Sequence, residues 1–196
     1  MRATGRVAFC CVFVLSVFSI PSWAALPAVQ VNSTVNLRML DVAAPTWQAL
    51  GPVFAERIKQ HAFGLGQASY RVNWKLDTRQ VGVLCRISGV TVSLNATVML
   101  PRWLQRANAT RYDRQRWDTL VGGVLDYEWH HRERMQQGAN EIGQALARVA
   151  PMSSCSALEQ AAWLAGQREL VKINEELEQY RRQTNNGLTL GIDWPS

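Results

Sequence analysis

The chain has 196 residues, with 21 Lys plus Arg against 15 Asp plus Glu and a formal net charge of +6. That length fits one domain, and 47% hydrophobic with 18% charged residues excludes a disordered or low-complexity chain. Arg2 and Arg6, lost if the leader read below is cleaved, carry two of the six net charges, so no nucleic-acid partner is expected.

Residues 1–24 read as a signal peptide. Arg2 and Arg6 precede an apolar run from Val7 to Ile20, Pro21 breaks it, and Ser22-Trp23-Ala24 supplies a small-x-small cleavage pattern. The run is too short to span a bilayer comfortably, and no other stretch is apolar enough. The expectation is a periplasmic or secreted protein, cleaved near Ala24, with one domain over 25–196 and no transmembrane segment. Cys10 and Cys11 leave with the leader. Cys85 and Cys155 remain, and an even count in an oxidising compartment predicts one disulfide.

In chain order, Val35–Leu40 reads as a first strand. Thr46–Gln60 reads as a helix carrying Trp47, Leu50, Val53, Phe54 and Ile58, ended by Gly64 and Gly66. His61 falls near its end as a surface residue complementing the helix dipole. Ser69–Asp77 alternates, with Tyr70, Val72, Trp74 and Leu76 on one face. Val81–Leu100 is rich in β-branched residues and breaks at Ser88-Gly89, so it predicts two strands or one bulged strand. Beyond Pro101, helices are predicted at Arg102–Ala109, near Trp117–Val149 and over Ser156–Thr184. Strands first and helices second predict an α+β fold, with helices packed on one face of a small antiparallel sheet. Arg102, Arg106, Arg111, Arg114 and Arg116 cluster before the long helix and read as a solvated face, with docking to an acidic surface as the alternative. Trp47, Trp74, Trp103 and Trp117 read as core, and Trp129, off the apolar stripe, as cover for another element, with an exposed binding aromatic as the alternative.

The long helix carries the most informative pattern. At about 100° per residue, Leu120, Val121, Val124, Met135, Ile142, Leu146 and Val149 form a stripe about 100° wide. Glu128 and His131 fall inside it, Tyr127 on its edge, and His130 and Trp129 outside. An acid and an imidazole on a buried face need either each other or a metal. In an H-E-x-x-H zinc helix, two His one turn apart ligate the metal and the Glu acts as base. Tyr127-Glu128-Trp129-His130-His131 keeps the second and fifth of those positions.

Taken with the Y-x-V-x-W strand (Tyr70, Val72, Trp74), Cys85, the L-P-x-W turn (Leu100, Pro101, Trp103), W-D-x-L (Trp117, Asp118, Leu120), Ala139-x-Glu141-Ile142, Cys155 and Y-x-x-x-T-x-x-G (Tyr180, Thr184, Gly187), the chain resembles the predicted secreted zinc-dependent proteases of bacteria, a domain of unknown function. The resemblance runs from about Val35 to Gly187. It implies a zincin-like fold, with Glu128 as the base and His131 as a metal ligand. It also implies His where this chain has Tyr127 and Asn186, and an acid where it has Arg181. Only His131 of three implied metal histidines remains, whereas catalytic zinc takes three protein ligands and a water. The expectation is a degenerate, non-catalytic member with no cofactor, binding a peptide or an envelope protein. The alternative is an active zinc metallopeptidase in which Tyr127 coordinates the metal.

Overall fold

The computed structural model describes residues 26–60 and 68–195, and for residues 57–60 the backbone only. The leader over 1–24, His61 and the Gly64/Gly66 helix stop lie outside the described residues. Strands and helices follow in the order β1 (Ala28–Val42), α1 (Trp47–Gln60), β2 (Ala68–Val81), β3 (Leu84–Trp103), α2 (Arg111–Ala147) and α3 (Cys155–Gln183). The fold class is α+β, as the sequence order of elements predicts.

β3 is the central strand of a three-stranded sheet in the order β1-β3-β2. β2 and β3 form an antiparallel hairpin, closed by a two-residue turn in which Gly82 takes φ +61°. β1 pairs with β3 in parallel, from Ala28↔Gly89 to Val42↔Trp103. The sheet is therefore mixed rather than antiparallel. α1 and β2 intervene between β1 and β3, and that length of chain permits a parallel pairing that no tight turn could make. The break at Ser88-Gly89 is a bulge within one long strand: the register passes from Asp77↔Gly89 to Thr78↔Ile87, and the Ser88 hydroxyl donates to the Asp77 carbonyl at 3.0 Å.

The helix predicted at Arg102–Ala109 does not form. β3 continues to Trp103: β2 pairs with it only as far as Val98, so at Pro101 the strand is paired on one side alone, with Leu40 of β1, and a proline is tolerated; only a short 3-10 turn follows at Arg106–Asn108. α2 starts earlier than predicted, at Arg111, where the Thr110 side chain accepts from the Asp113 amide. α3 begins after Ser154, which caps Ala157 in the same way.

Alternation along β3 sends Val90, Val92, Leu94, Ala96, Val98 and Leu100 to the helices. Two apolar clusters result. One joins α1, the end of β3 and the start of α2 through Trp47, Phe54, Trp103 and Trp117. The other joins the remainder of the sheet to α2 and α3 through Val92, Leu94, Met135, Ile142, Leu158 and Ile173. Trp74, half-buried, packs beneath Gly166 of α3. The predicted disulfide is formed: Cys85 and Cys155 are bonded, with Cα atoms 5.1 Å apart. It ties β3 to the first turn of α3, beside a β-bridge from Cys85 to Met152.

Candidate functional site

Glu128 lies on α2 between the two clusters and is 5% exposed. Burial raises its carboxyl to about 7, against a smaller opposing effect from the Ala68 backbone N–H that it accepts. The Tyr70 ring of β2 stands beside it, its hydroxyl 3.5 Å from the Glu128 carbonyl. Burial, and then the Glu128 charge, raise the Tyr70 phenol above its ordinary value.

His131 is half-buried one turn from Tyr127, and its Nδ1 donates to the Tyr127 carbonyl at 2.9 Å. This fixes the tautomer and leaves Nε2 as the nitrogen with a free lone pair. Burial lowers the His131 imidazole, partly offset by that hydrogen bond and reinforced by the neighbouring His130 charge. The Tyr127 and His131 rings are 4.3 Å apart.

The C-terminal Y-x-x-x-T-x-x-G segment closes over this end of the helix. The Tyr180 ring stacks on His130 at 3.6 Å and lies 5.6 Å from Tyr127 and 5.5 Å from His131. Thr184 is buried. Its hydroxyl donates to the Tyr180 carbonyl and accepts from the Gly187 amide at 3.2 Å. Gly187 takes φ +87°, and a Cβ there would meet Ile192 at 2.3 Å, so only glycine fits. Asn186 has φ +56°, is exposed, and accepts at its side-chain oxygen from Arg181. Arg181 is in turn close enough to Tyr127 to lower its phenol, against the larger effect of burial.

The sequence-predicted site residues thus fall into one neighbourhood: Glu128, His131 and Tyr127 on α2, with Asn186 linked to it through Arg181. Tyr180 is the residue that joins them, and its motif position was the signal for it. His130, pointing off the stripe, is held by Tyr180 instead.

A second feature adjoins Glu128. Val35 and Leu37 of β1, Val98 and Leu100 of β3, and Leu125, Trp129 and Arg132 of α2 line an open apolar groove of about 470 Å³, with Glu128 in its wall. Trp129 is 61% exposed, and Arg132 lies over its ring at 4.9 Å. Trp129 is therefore a groove wall rather than cover for another element. Its place off the stripe points it to the side where α2 and β1 diverge. Val35 and Leu37, 42% and 57% exposed, were not foreseen as site residues, because their alternation marks a buried face in sequence.

The arginine cluster before α2 is dispersed. Arg102 pairs with Asp41 and Arg106 with Asp118, Arg114 donates to the Ala109 carbonyl, and Arg116 lies over Trp47.

The fold and site define an α+β protein with a Tyr-Glu-Trp-His-His segment on its longest helix, of which Glu128 is buried and Tyr127 and His131 are half-buried. The chain belongs to the family described as "Bacterial protein of unknown function (DUF922)", which matches residues 39–187. No curated protein and no solved structure matches it.

Proposed function

We propose that this is an exported member of the family that has lost its metal site and acts by binding an extended, apolar peptide segment in the groove between β1 and α2. The observation that carries the reading is the groove itself. Exposed Leu37, Leu125 and Trp129 surround it, and the former base position, Glu128, stands in its wall. β1 lies at the sheet edge, so its outer backbone groups are available to pair with an added strand.

The donor set at Tyr127, His131 and Asn186 does not fit a catalytic zinc. It offers one imidazole nitrogen, a phenol raised by burial, and an amide oxygen already engaged by Arg181. Among the described residues no three His, Cys, Asp or Glu side chains come together to hold a metal. Glu128 without a metal-bound water has nothing to deprotonate, and its carboxyl, raised by burial to about 7, can donate a hydrogen bond to a bound peptide in its protonated form. Export is supported by the leader-like sequence of residues 1–24 and by the disulfide. Among the described residues no helix is long and apolar enough to cross a membrane.

The test is titration of the purified protein, in parallel in excess EDTA and with added zinc, with a fluorescent peptide alternating leucine and serine. Binding without cleavage is expected, weakened ~10-fold or more, roughly 1.4 kcal/mol, by Leu37→Asp or Leu125→Asp. Zinc-dependent cleavage of the peptide would instead establish the metallopeptidase alternative. No binding, with or without zinc, would reject the groove as a peptide site.

A further inference from the structure

A second cavity, remote from Glu128, collects positive charge with no carboxylate to balance it. β1 covers one edge of β3 only as far as Ala28, opposite Gly89, and Met152 takes the same edge at Cys85. Between them the edge is open. Strand alternation turns the peptide groups of Ile87 toward the gap, since those of Cys85 face it. The gap is a cavity of about 250 Å³, and Arg79, Arg86 and Arg148 line it.

Three chain segments supply these arginines: the end of β2, the start of β3 and the residue after α2. Arg79 and Arg86 are direct cross-strand partners. Like charges placed opposite each other oppose the pairing of the strands, and a bound anion would relieve that repulsion. Among the described residues neither has an ion pair, and Arg148 donates only to Gln144. The Nε of Arg86 is enclosed and has no hydrogen-bond partner. That nitrogen is closed to a ligand as it is to water, so an oxyanion in the cavity would meet the terminal guanidinium nitrogens, which have no ion pair among the described residues. The remaining wall, with Leu26, Pro27 and Pro151, is apolar.

We propose that this cavity is a binding site for one phosphate-type oxyanion, held by the guanidinium groups of Arg79, Arg86 and Arg148. The planar forks of arginine match the paired oxygens of a tetrahedral phosphate, and three of them neutralise a dianion with charge to spare. The apolar wall suits the carbon side of a phosphate ester. Free phosphate and a phospholipid headgroup share this chemistry.

Calorimetric titration of the purified protein with inorganic phosphate, against sodium chloride of equal ionic strength, tests the site. A saturable one-to-one isotherm is expected with phosphate and not with chloride. Arg86→Gln and Arg148→Gln should each weaken it at least tenfold, and Arg71→Gln, on an exposed position of β2 outside the cavity, should leave it unchanged. Arg148 is exposed, so its variant carries the test even if Arg86→Gln fails to fold. In a parallel arm, vesicles of phosphatidylcholine with and without phosphatidylglycerol are sedimented with the protein. Capture by the anionic vesicles, displaced by phosphate and lost in Arg148→Gln, would identify the headgroup as the source. Phosphate binding without vesicle capture would identify a soluble phosphate. Absence of both kinds of binding, or phosphate binding that persists undiminished in Arg148→Gln and Arg86→Gln, would overturn the proposal.

Discussion

Glu128 is the residue whose chemistry the fold alters most. Its carboxyl rises from 4.5 to about 7 because burial penalises the anion more than the Ala68 amide supports it. An acid with a raised folded value binds more protons folded than unfolded between those two values, so stability falls as pH rises from about 4.5 to about 7 and is lower by up to about 3 kcal/mol above that window. His131 acts in the opposite sense: its lowered imidazole costs stability as pH falls below its ordinary value of 6.5. Glu128→Gln removes only the first effect. Urea unfolding of this variant and the wild type at pH 5 and pH 8 should show the variant gaining relative to the wild type at pH 8. An equal difference at both values would mean that Glu128 is not desolvated. Glu128 was legible in the sequence because an acid within an apolar stripe contradicts the stripe. Trp129 and Arg132 were not. A helical wheel gives direction, whereas their exposure depends on how far β1 diverges from α2, a contact between residues almost a hundred positions apart.

At the scale of elements, α2 is positioned by close approaches on its buried face. Gly122 and Gly123 are neighbours in sequence with opposite surroundings. A Cβ on Gly123 would lie 2.4 Å from the carbonyl oxygen of Leu190, whereas one on Gly122 meets nothing within 4 Å. Gly123→Ala must push the Leu188–Leu190 turn away from the helix and should destabilise by roughly 1–3 kcal/mol. Gly122→Ala should stabilise by up to about 1 kcal/mol through helix propensity alone. Thermal melts of the pair decide this, and equal shifts would place the C-terminal turn elsewhere. The same scale shows why some elements could be read in advance. Tyr70, Val72, Trp74 and Leu76 alternate cleanly because one face of β2 meets the helices and the other meets water. The bulge at Ser88 was visible as a break in β-branched composition. The parallel pairing of β1 left no such mark, since its partner is chosen by the path of the chain through α1 and β2. The false helix at Arg102–Ala109 came from composition: Trp103 in fact extends β3, its indole N–H donating to the Ala44 carbonyl at 2.7 Å.

For the whole molecule, the disulfide joins the sheet to the helical layer over a separation of 70 residues. Chain-entropy arguments assign a loop of that size about 4 kcal/mol. Cys85→Ala with Cys155→Ala should lower stability by that order, and the native wild type should show no alkylatable thiol among these two. Two reactive thiols would contradict the bridge. Arg134 adds a second tie, meeting Glu141 on its own helix and Glu176 on α3. Glu141, one of the residues that carry the family resemblance, has a structural role in that tie. Thr184 and Gly187 likewise shape the C-terminal turn, so much of the resemblance reports the scaffold and not its chemistry.

The central claim is that the scaffold persists while its metal ligands do not. The Tyr127 and His131 rings already lie 4.3 Å apart, so Tyr127→His would place two imidazoles one turn apart on the same face. Tyr127→His with Asn186→His should therefore create zinc binding. Adding Arg181→Glu, which removes a cation that acts on Tyr127, should tighten it further. The most direct measurement is the zinc content of the purified wild type after exposure to excess zinc and desalting, read by atomic emission. Well under one zinc per chain is predicted, and a stoichiometric zinc, lost on Tyr127→Phe or His131→Ala, would contradict it.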